Sequence, residues 1–372
     1  MVSIGQPGDD NLLLENASSE LSLSCPISLR GIEVPIYCFG SKLVTPDSPF
    51  DRPSCAYHEE ESILDSLLLA QWEDRMWKGC FKYDVTTSEI RVIGDSLKFI
   101  AQLNQSWSKT HTPTLESKIG FCRKPSIADS VELYEELLFC MATHGKAKSK
   151  LIPSAFVPND SVLVILNETP IDYGHVFLVP FRWNSHVKHL DATFLAMLVK
   201  MAVEINNHSF HLLHGSSSSI SSQLYFEACY FSNPLAVELM PLETFFTDEQ
   251  TGIRICAVLD YPIKTLLFES NHNFKALVDI VSRISSQLLE LNITYNILVS
   301  DRGRKIYMLL QANFCSLSAW ECGGYFLFNS QHEFDKATED SIFDLLCGAS
   351  LDTEGFEMVQ QLCCNIVASF SI

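Results

Sequence analysis

The sequence predicts an α+β protein: an antiparallel sheet with helices packed on it, followed by a second α+β unit. Three patterns predict it. Short apolar runs rich in β-branched residues are bounded by turn residues, as at 162–166 and 176–179. Two longer segments, 191–205 and 273–291, repeat their apolar residues at helical spacing. Strand-like and helix-like segments then alternate along the chain in groups, which places helices against one sheet.

Residues 1–58 are polar and turn-rich, with Pro46-Asp47-Ser48-Pro49 and Arg52-Pro53, and only Val34 to Phe39 reads as a strand. Ser62 to Trp77 reads as a helix with Ile63, Leu67, Ala70 and Met76 roughly on one face and Glu73, Asp74 and Arg75 elsewhere. Tyr83 to Leu103 reads as strands around the Gly94-Asp95 turn, and 104–130 as loop. Glu135 to Phe139 and Ser161 to Leu166 are further strands. Asp191 can cap a helix carrying Phe194, Leu195, Leu198, Met201, Ala202 and Ile205. Ser216 to Ser219 is a low-complexity loop. Leu224 to Phe231 then alternates Leu224/Phe226/Ala228/Tyr230 against Tyr225/Glu227/Cys229/Phe231, so the two sets face opposite sides of a sheet. A second unit is expected from residue 241, with a helix over 273–291 bearing Phe274, Leu277, Val278, Val281, Ile284 and Leu288 on one face. Strands at 295–299, 306–310 and 325–328 and two closing helices complete it. The expected division is therefore 1–58, 59–240 and 241–372. No internal repeat is visible in the sequence.

The chain has 372 residues, 47% of them hydrophobic, enough for a large core. Its net charge of -19 argues against a nucleic-acid surface or an anionic membrane as partner. No apolar run reaches the length of a membrane span. The first cationic residue is Arg30, preceded by Asp9, Asp10, Glu15 and Glu20, unlike a secretory leader. Thirteen cysteines, an odd number with no C-x-x-C, predict reduced thiols in the cytosol, with nuclear presence compatible. No pair of Cys/His ligands is backed by a second pair, so no metal and no cofactor is expected.

The segment Asn167-Glu168-Thr169-Pro170-Ile171-Asp172-Tyr173-Gly174-His175, followed by an apolar strand ending in Pro180, resembles the opening of the histidine-triad (HIT-like) core. Further stretches are similar to the plant GDP-L-galactose phosphorylases and the animal GDP-D-glucose phosphorylases, the plant branch more closely. They include Leu64-Asp65-Ser66-Leu67, Gln71 to Arg75, Phe81 to Thr86, Lys98 to Asn104, Tyr261-Pro262, Leu266 to Glu269 and Asn296 to Arg304. The resemblance implies a HIT-like fold and a reaction in which a neutral imidazole attacks the α-phosphorus of a GDP-hexose. Hexose 1-phosphate leaves, phosphate then releases GDP, and in plants the reaction serves ascorbate synthesis.

The same resemblance puts the nucleophilic histidine at Tyr225, the first histidine of the motif at Gln223, and the motif's glutamine at Glu227. A phenol has a pKa of about 10, so only about 0.1% is ionised at pH 7. A carboxylate at Glu227 opposes phosphate, since like charges about 4 Å apart repel by several kcal/mol in a partly buried site. Family cations are replaced at Trp107 and Thr112, the residue before the triad is Ser222, and a Gly-His becomes Gly324-Tyr325. Expected nucleotide contacts are Asn104, Asn167, Gly174 and His175, the last acting as structural support. Asp301 and Arg304 fit either a phosphate clamp or a plain hairpin turn. His186 and His189 read as solvated loop residues, as do Lys146, Lys148 and Lys150. These substitutions lead to the expectation of a catalytically degenerate relative. It would bind GDP or GDP-hexose weakly, or pair with itself or an active paralogue. The alternative is an enzyme with altered chemistry that uses Tyr225 or a water activated by Glu227.

Overall fold

The computed structural model describes residues 32–41, 62–107, 136–143, 145, 148–182, 190–215, 224–270, 273–312 and 317–368. Gln223, His186, His189, Lys146, Thr112, Ser222 and the Ser216–Ser219 loop lie outside them.

A single mixed sheet organises the molecule. Its strands in chain order are β1 (Glu33–Phe39), β4 (Leu137–Thr143), β5 (Lys150–Phe156), β6 (Ser161–Leu166), β7 (Tyr173–Phe181), β8 (Phe210–Gly215) and β9 (Phe226–Tyr230). They continue with β10 (Leu242–Asp248), β11 (Ile253–Val258), β12 (Thr265–Ser270), β13 (Thr294–Ser300) and β14 (Lys305–Gln311). The spatial order is β10-β11-β12-β14-β13-β8-β9-β7-β6-β4-β1-β5. Neighbours are antiparallel except β1 and β4, which run parallel. A second, three-stranded sheet has the order β15-β3-β2, from β2 (Glu89–Ile93), β3 (Phe99–Leu103) and β15 (Tyr325–Phe328).

The large sheet contains a repeat that the sequence does not display. β4-β6-β7, a helix, then β8-β9 form one set; β10-β11-β12, a helix, then β13-β14 form the other. Within the sheet the orders are β4-β6-β7-β9-β8 and, mirrored, β13-β14-β12-β11-β10. The two halves meet at the antiparallel β8–β13 pair, with Leu213 opposite Leu298. The second unit's strands thus extend the first unit's sheet.

Helices α1 (Ile63–Trp77), α2 (Ala192–Ile205), α3 (Phe274–Glu290) and α7 (Thr353–Ala368) bury their apolar faces on one side of this sheet. α2 and α3 start as the sequence predicts. Asp191 Oδ1 accepts from the Phe194 N–H at 2.7 Å, and Asn273 Oδ1 from the Ala276 N–H at 3.0 Å, each satisfying an end donor. The three-stranded sheet, α4 (Ala319–Gly323), α5 (Gln331–Lys336) and α6 (Glu339–Ala349) form a second core on the other side. A smaller cluster from β1, β4, β6 and β7 covers the far end of that side. β9 follows the predicted alternation, with Phe226, Ala228 and Tyr230 toward the helices.

Two expectations are corrected. The buried stripe of α1 is Leu64, Leu68 and Trp72, not the face bearing Ile63, which is 60% exposed. The helix has apolar residues nearly all round its first two turns, so spacing alone does not choose a face. Trp72 decides it, packed on Phe81 and Tyr173 at ring-centroid distances of 4.7 Å each. Lys150 begins edge strand β5, pairing with Cys38, rather than continuing a loop. Its strand has no fully buried residue and contains Pro153, which an edge tolerates because the outer N–H side needs no partner.

Trp72→Ala should lower unfolding free energy by about 3–5 kcal/mol, as for other buried aromatic truncations. Ile63→Ala should change it by less than about 0.5 kcal/mol. Urea midpoints measure both, and equal losses would restore the face first predicted.

Candidate functional site

The site is built on the β6–β7 turn and on β9. Asn167 follows β6, and its Oδ1 accepts from the Thr169 N–H and Thr169 Oγ1, both at 3.0 Å. This side-chain turn replaces backbone pairing where the strand ends. Gly174 has φ +68, and a Cβ there would lie 2.5 Å from the Tyr230 ring. Glycine therefore permits the register shift between Tyr173 and Val176 that turns His175 into the fold.

His175 is 1% exposed. Its Nδ1 accepts from the Ile171 N–H at 3.0 Å, with the Asn167 amide nitrogen 3.2 Å away. With Nδ1 accepting, the proton of the neutral ring sits on Nε2. Nε2 points at Glu227 Oε2, 3.7 Å away, within ionic range but longer than a hydrogen bond. The Trp72 indole N–H donates to the His175 carbonyl at 3.3 Å, so α1 holds the strand from behind.

Tyr225 stands just before β9, on the same face as Glu227, with its ring edge-on to Phe177 at 5.7 Å. Glu227 is in register with Phe177 on β7 and Leu213 on β8, and its side chain is 13% exposed. His214 fixes the backbone here: its Nδ1–H donates to the Tyr225 carbonyl at 2.8 Å, and its ring stacks on Phe226 at 4.8 Å. Burial pulls the His214 pKa down to about 4, so this imidazole is neutral. It faces the helix layer, away from Glu227.

Beside this pair lies a buried polar network that sequence reasoning did not assemble. The Tyr325 hydroxyl is 2.8 Å from Gln102 Oε1 and 3.2 Å from Asp172 Oδ2, while Asp172 Oδ1 accepts from the Tyr173 N–H at 2.7 Å. Burial pushes Asp172 up to about 6, although these donors and the nearby His175 and His211 oppose the rise. His211 Nδ1 donates to the Ser209 carbonyl at 2.8 Å, and Nε2 meets Glu238 Oε2 at 3.1 Å. Burial disfavours the imidazolium, yet Glu238 outweighs it and the net shift of His211 is upward. For Glu238, burial is again the largest single influence, but His211 and other donors carry its pKa downward. The two form a buried ion pair. The only sequence signal for this network was tyrosine at Gly324-Tyr325.

Asn104 ends β3. Its Oδ1 accepts from the Ser106 N–H at 3.1 Å, its carbonyl accepts from the Trp107 N–H at 3.0 Å, and its Nδ2 has no partner. The Trp107 indole N–H is likewise buried and unpartnered. Asp301 and Arg304 are not brought to Glu227. They flank the β13–β14 turn, where a Cβ on Gly303 would lie 2.9 Å from the Val199 carbonyl of α2, and Asp301 meets His208 at 3.4 Å. They lie at the turn joining two directly paired strands. The structure thus gathers Asn167, Gly174, His175, Tyr225 and Glu227. Among the described residues no cluster of metal-ligating side chains exists, and no helix is long and apolar enough to cross a membrane.

Two antiparallel halves joined in one sheet, with a Gly-His turn facing the motif strand, define a HIT-like α+β protein. The yeast Ap4A phosphorylase Apa2 has the same architecture, at a TM-score of 0.54 and 11% identity over 78% of this chain and 95% of that one. The family described as GDPGP1-like matches with its N-terminal domain over residues 63–229 and its C-terminal domain over 236–370. GDP-L-galactose phosphorylase 1 of Arabidopsis thaliana is 30% identical over 364 residues, covering 90% of this chain and 80% of that protein. GDP-D-glucose phosphorylase 1 of Homo sapiens is 22% identical over 72% of this chain and 69% of that protein. The chain belongs to this GDP-hexose phosphorylase family.

Asp172 gives a pH test. Its folded pKa is raised from 3.8 to about 6, so the folded state holds the proton more tightly than the unfolded state. Its contribution to stability is greatest below 3.8 and falls as pH rises to about 6. Asp172→Asn removes that slope. Relative to the parent, the variant should gain stability between pH 4 and pH 7, read from urea midpoints at each pH. A difference independent of pH would mean that Asp172 ionises normally.

Proposed function

We propose that this chain is a non-catalytic member of the family, retaining the fold while lacking guanylyl transfer, and acting as a nucleotide sensor or a partner of an active paralogue. The observation that carries the reading is Tyr225 on the strand where the family motif needs an imidazole, with Glu227 two residues on and directed at His175. The neighbouring histidines do not replace the missing nucleophile. His175 spends Nδ1 on Ile171, His214 is turned to the helix layer, and His211 is paired with Glu238. A carboxylate at the place of a neutral donor also opposes a transferring phosphoryl group. A cytosolic setting and weak binding of GDP or GDP-hexose belong to the same reading, as does association with itself or a paralogue.

A second reading rests on Glu227 retaining solvent access beside His175. In it, Glu227 activates water against a nucleotide. One assay separates them. Purified protein is incubated with GDP-L-galactose or GDP-glucose, with and without phosphate, and GDP and GMP release are followed. We expect neither product. GDP formed with phosphate at about 1–1,000 per second, an ordinary enzyme rate, would refute the non-catalytic reading. GMP formed without phosphate would establish the water reading. Joint Gln223→His, Tyr225→His and Glu227→Gln should restore only partial phosphorolysis, because Trp107 and Thr112 still lack the family's cations.

A further inference from the structure

We propose that Gln102, Tyr325 and Asp172 form a proton-operated latch between the three-stranded sheet and the β6–β7 turn, closed while Asp172 holds a proton and loosened when it gives the proton up. The latch does not depend on whether guanylyl transfer survives.

The first support is the geometry of the contact. The Tyr325 hydroxyl, on β15, lies 2.8 Å from Gln102 Oε1 on β3 and 3.2 Å from Asp172 Oδ2 on the turn. A hydroxyl has one proton to donate, and both neighbours present oxygen. The shorter contact takes the tyrosine proton to Gln102. The Asp172 contact is then a hydrogen bond only if the acid is the donor. Ionised Asp172 needs the other arrangement, in which Tyr325 donates to the carboxylate and the Gln102 amide turns over to donate to the hydroxyl oxygen. The two arrangements differ by one proton, which makes the contact a two-state element.

The second support is burial. Gln102, Tyr325 and Asp172 are all buried. Among the described residues, the donors to an ionised Asp172 are the Tyr325 hydroxyl and the Tyr173 N–H at 2.7 Å, against about four positions that a carboxylate offers. Its lost hydration is only partly replaced, and burial carries it up to about 6. The groups that face it are known from every neighbouring strand. His175 on β7 and His211 on β8 favour its ionisation, but Glu238 sits 3.1 Å from His211 and offsets that charge. β9 contributes the buried Cys229 thiol, itself pushed up by burial and by Asp172. β3 and β15 contribute the two neutral members of the latch.

The third support is position. Asp172 lies three residues before His175, in the turn whose Ile171 N–H binds that imidazole. Of residues 167–174, Ile171 alone belongs to the core beneath the three-stranded sheet. The latch is therefore a large part of what fastens this turn to that layer. When the two separate, Asp172 meets water and returns toward its ordinary 3.8. The closed state holds the proton more tightly, so closure is favoured most below 3.8 and weakens as pH rises to about 6.

The test is native-state hydrogen exchange of the full chain, read by mass spectrometry on peptides over 97–104, 168–178 and 324–328 and corrected for the chemical exchange rate at each pH. Between pH 5 and pH 7 the opening constant of these segments should rise about tenfold, from linkage to the two pKa values. Low urea should change it little, because a local opening exposes little surface, whereas α2 should open with a steep urea dependence. In Asp172→Asn the rise with pH should vanish. An opening constant that is flat between pH 5 and pH 7, or one with the urea dependence of α2, overturns the latch. So does a rise that persists in Asp172→Asn, which would belong to His211 and Glu238. If that variant does not fold, Tyr325→Phe decides on the same peptides. Losing the donor to the ionised acid should move the rise to higher pH, and an unchanged profile overturns the latch.

Discussion

The pairing of β8 with β13 is the constraint on which the rest depends. It turns two five-stranded sets into one surface. It brings α2 and α3 side by side beneath that surface, where their apolar faces merge with α1 and α7 into one core. With one side of the sheet committed to helices, Tyr225, Glu227, Cys229 and Phe231 are left to the other. A one-residue slip of β9 against β7 and β8 would exchange those faces and put Glu227 in the helix core.

Local features of the fold were legible where a residue type has one physical use. Asp191 and Asn273 announce helix starts because only such side chains satisfy free end donors. β9 shows its two faces because its period of two is clean. α1 was misaligned by one residue because Ile63, Leu64, Leu67, Leu68 and Leu69 surround the axis, and tertiary contact with Phe81 and Tyr173 makes the choice. The apolar pattern does not mark β10 and β11 as strands, since Glu243, Thr244 and Arg254 interrupt it. The repeat was hidden for a related reason: its two halves share pairing geometry, not side chains.

The candidate site was half legible. Asn167, Gly174 and His175 lie within nine residues and form one turn, so a local motif carries them. The His211–Glu238 pair and the Tyr325–Gln102–Asp172 contacts join residues 27 to 223 positions apart. No spacing rule connects such residues, because sheet order alone makes them neighbours. Asp301 and Arg304 show the converse. Arginines in a glycine turn read as a phosphate clamp or as a plain hairpin from sequence alone, and the close approach of Gly303 to Val199, invisible in the sequence, accounts for the glycine.

The mirrored halves have one more implication. An antiparallel seam between two like units is the geometry of a two-fold interface between identical subunits. The polypeptide is, in symmetry, a homodimer written as one gene. Across from Phe177 on β7 stands the carboxylate of Glu227; across from Leu267 on β12 stands the ring of Tyr307, sealed in the core. The first of these two equivalent positions keeps partial solvent access, while the second is closed in the core.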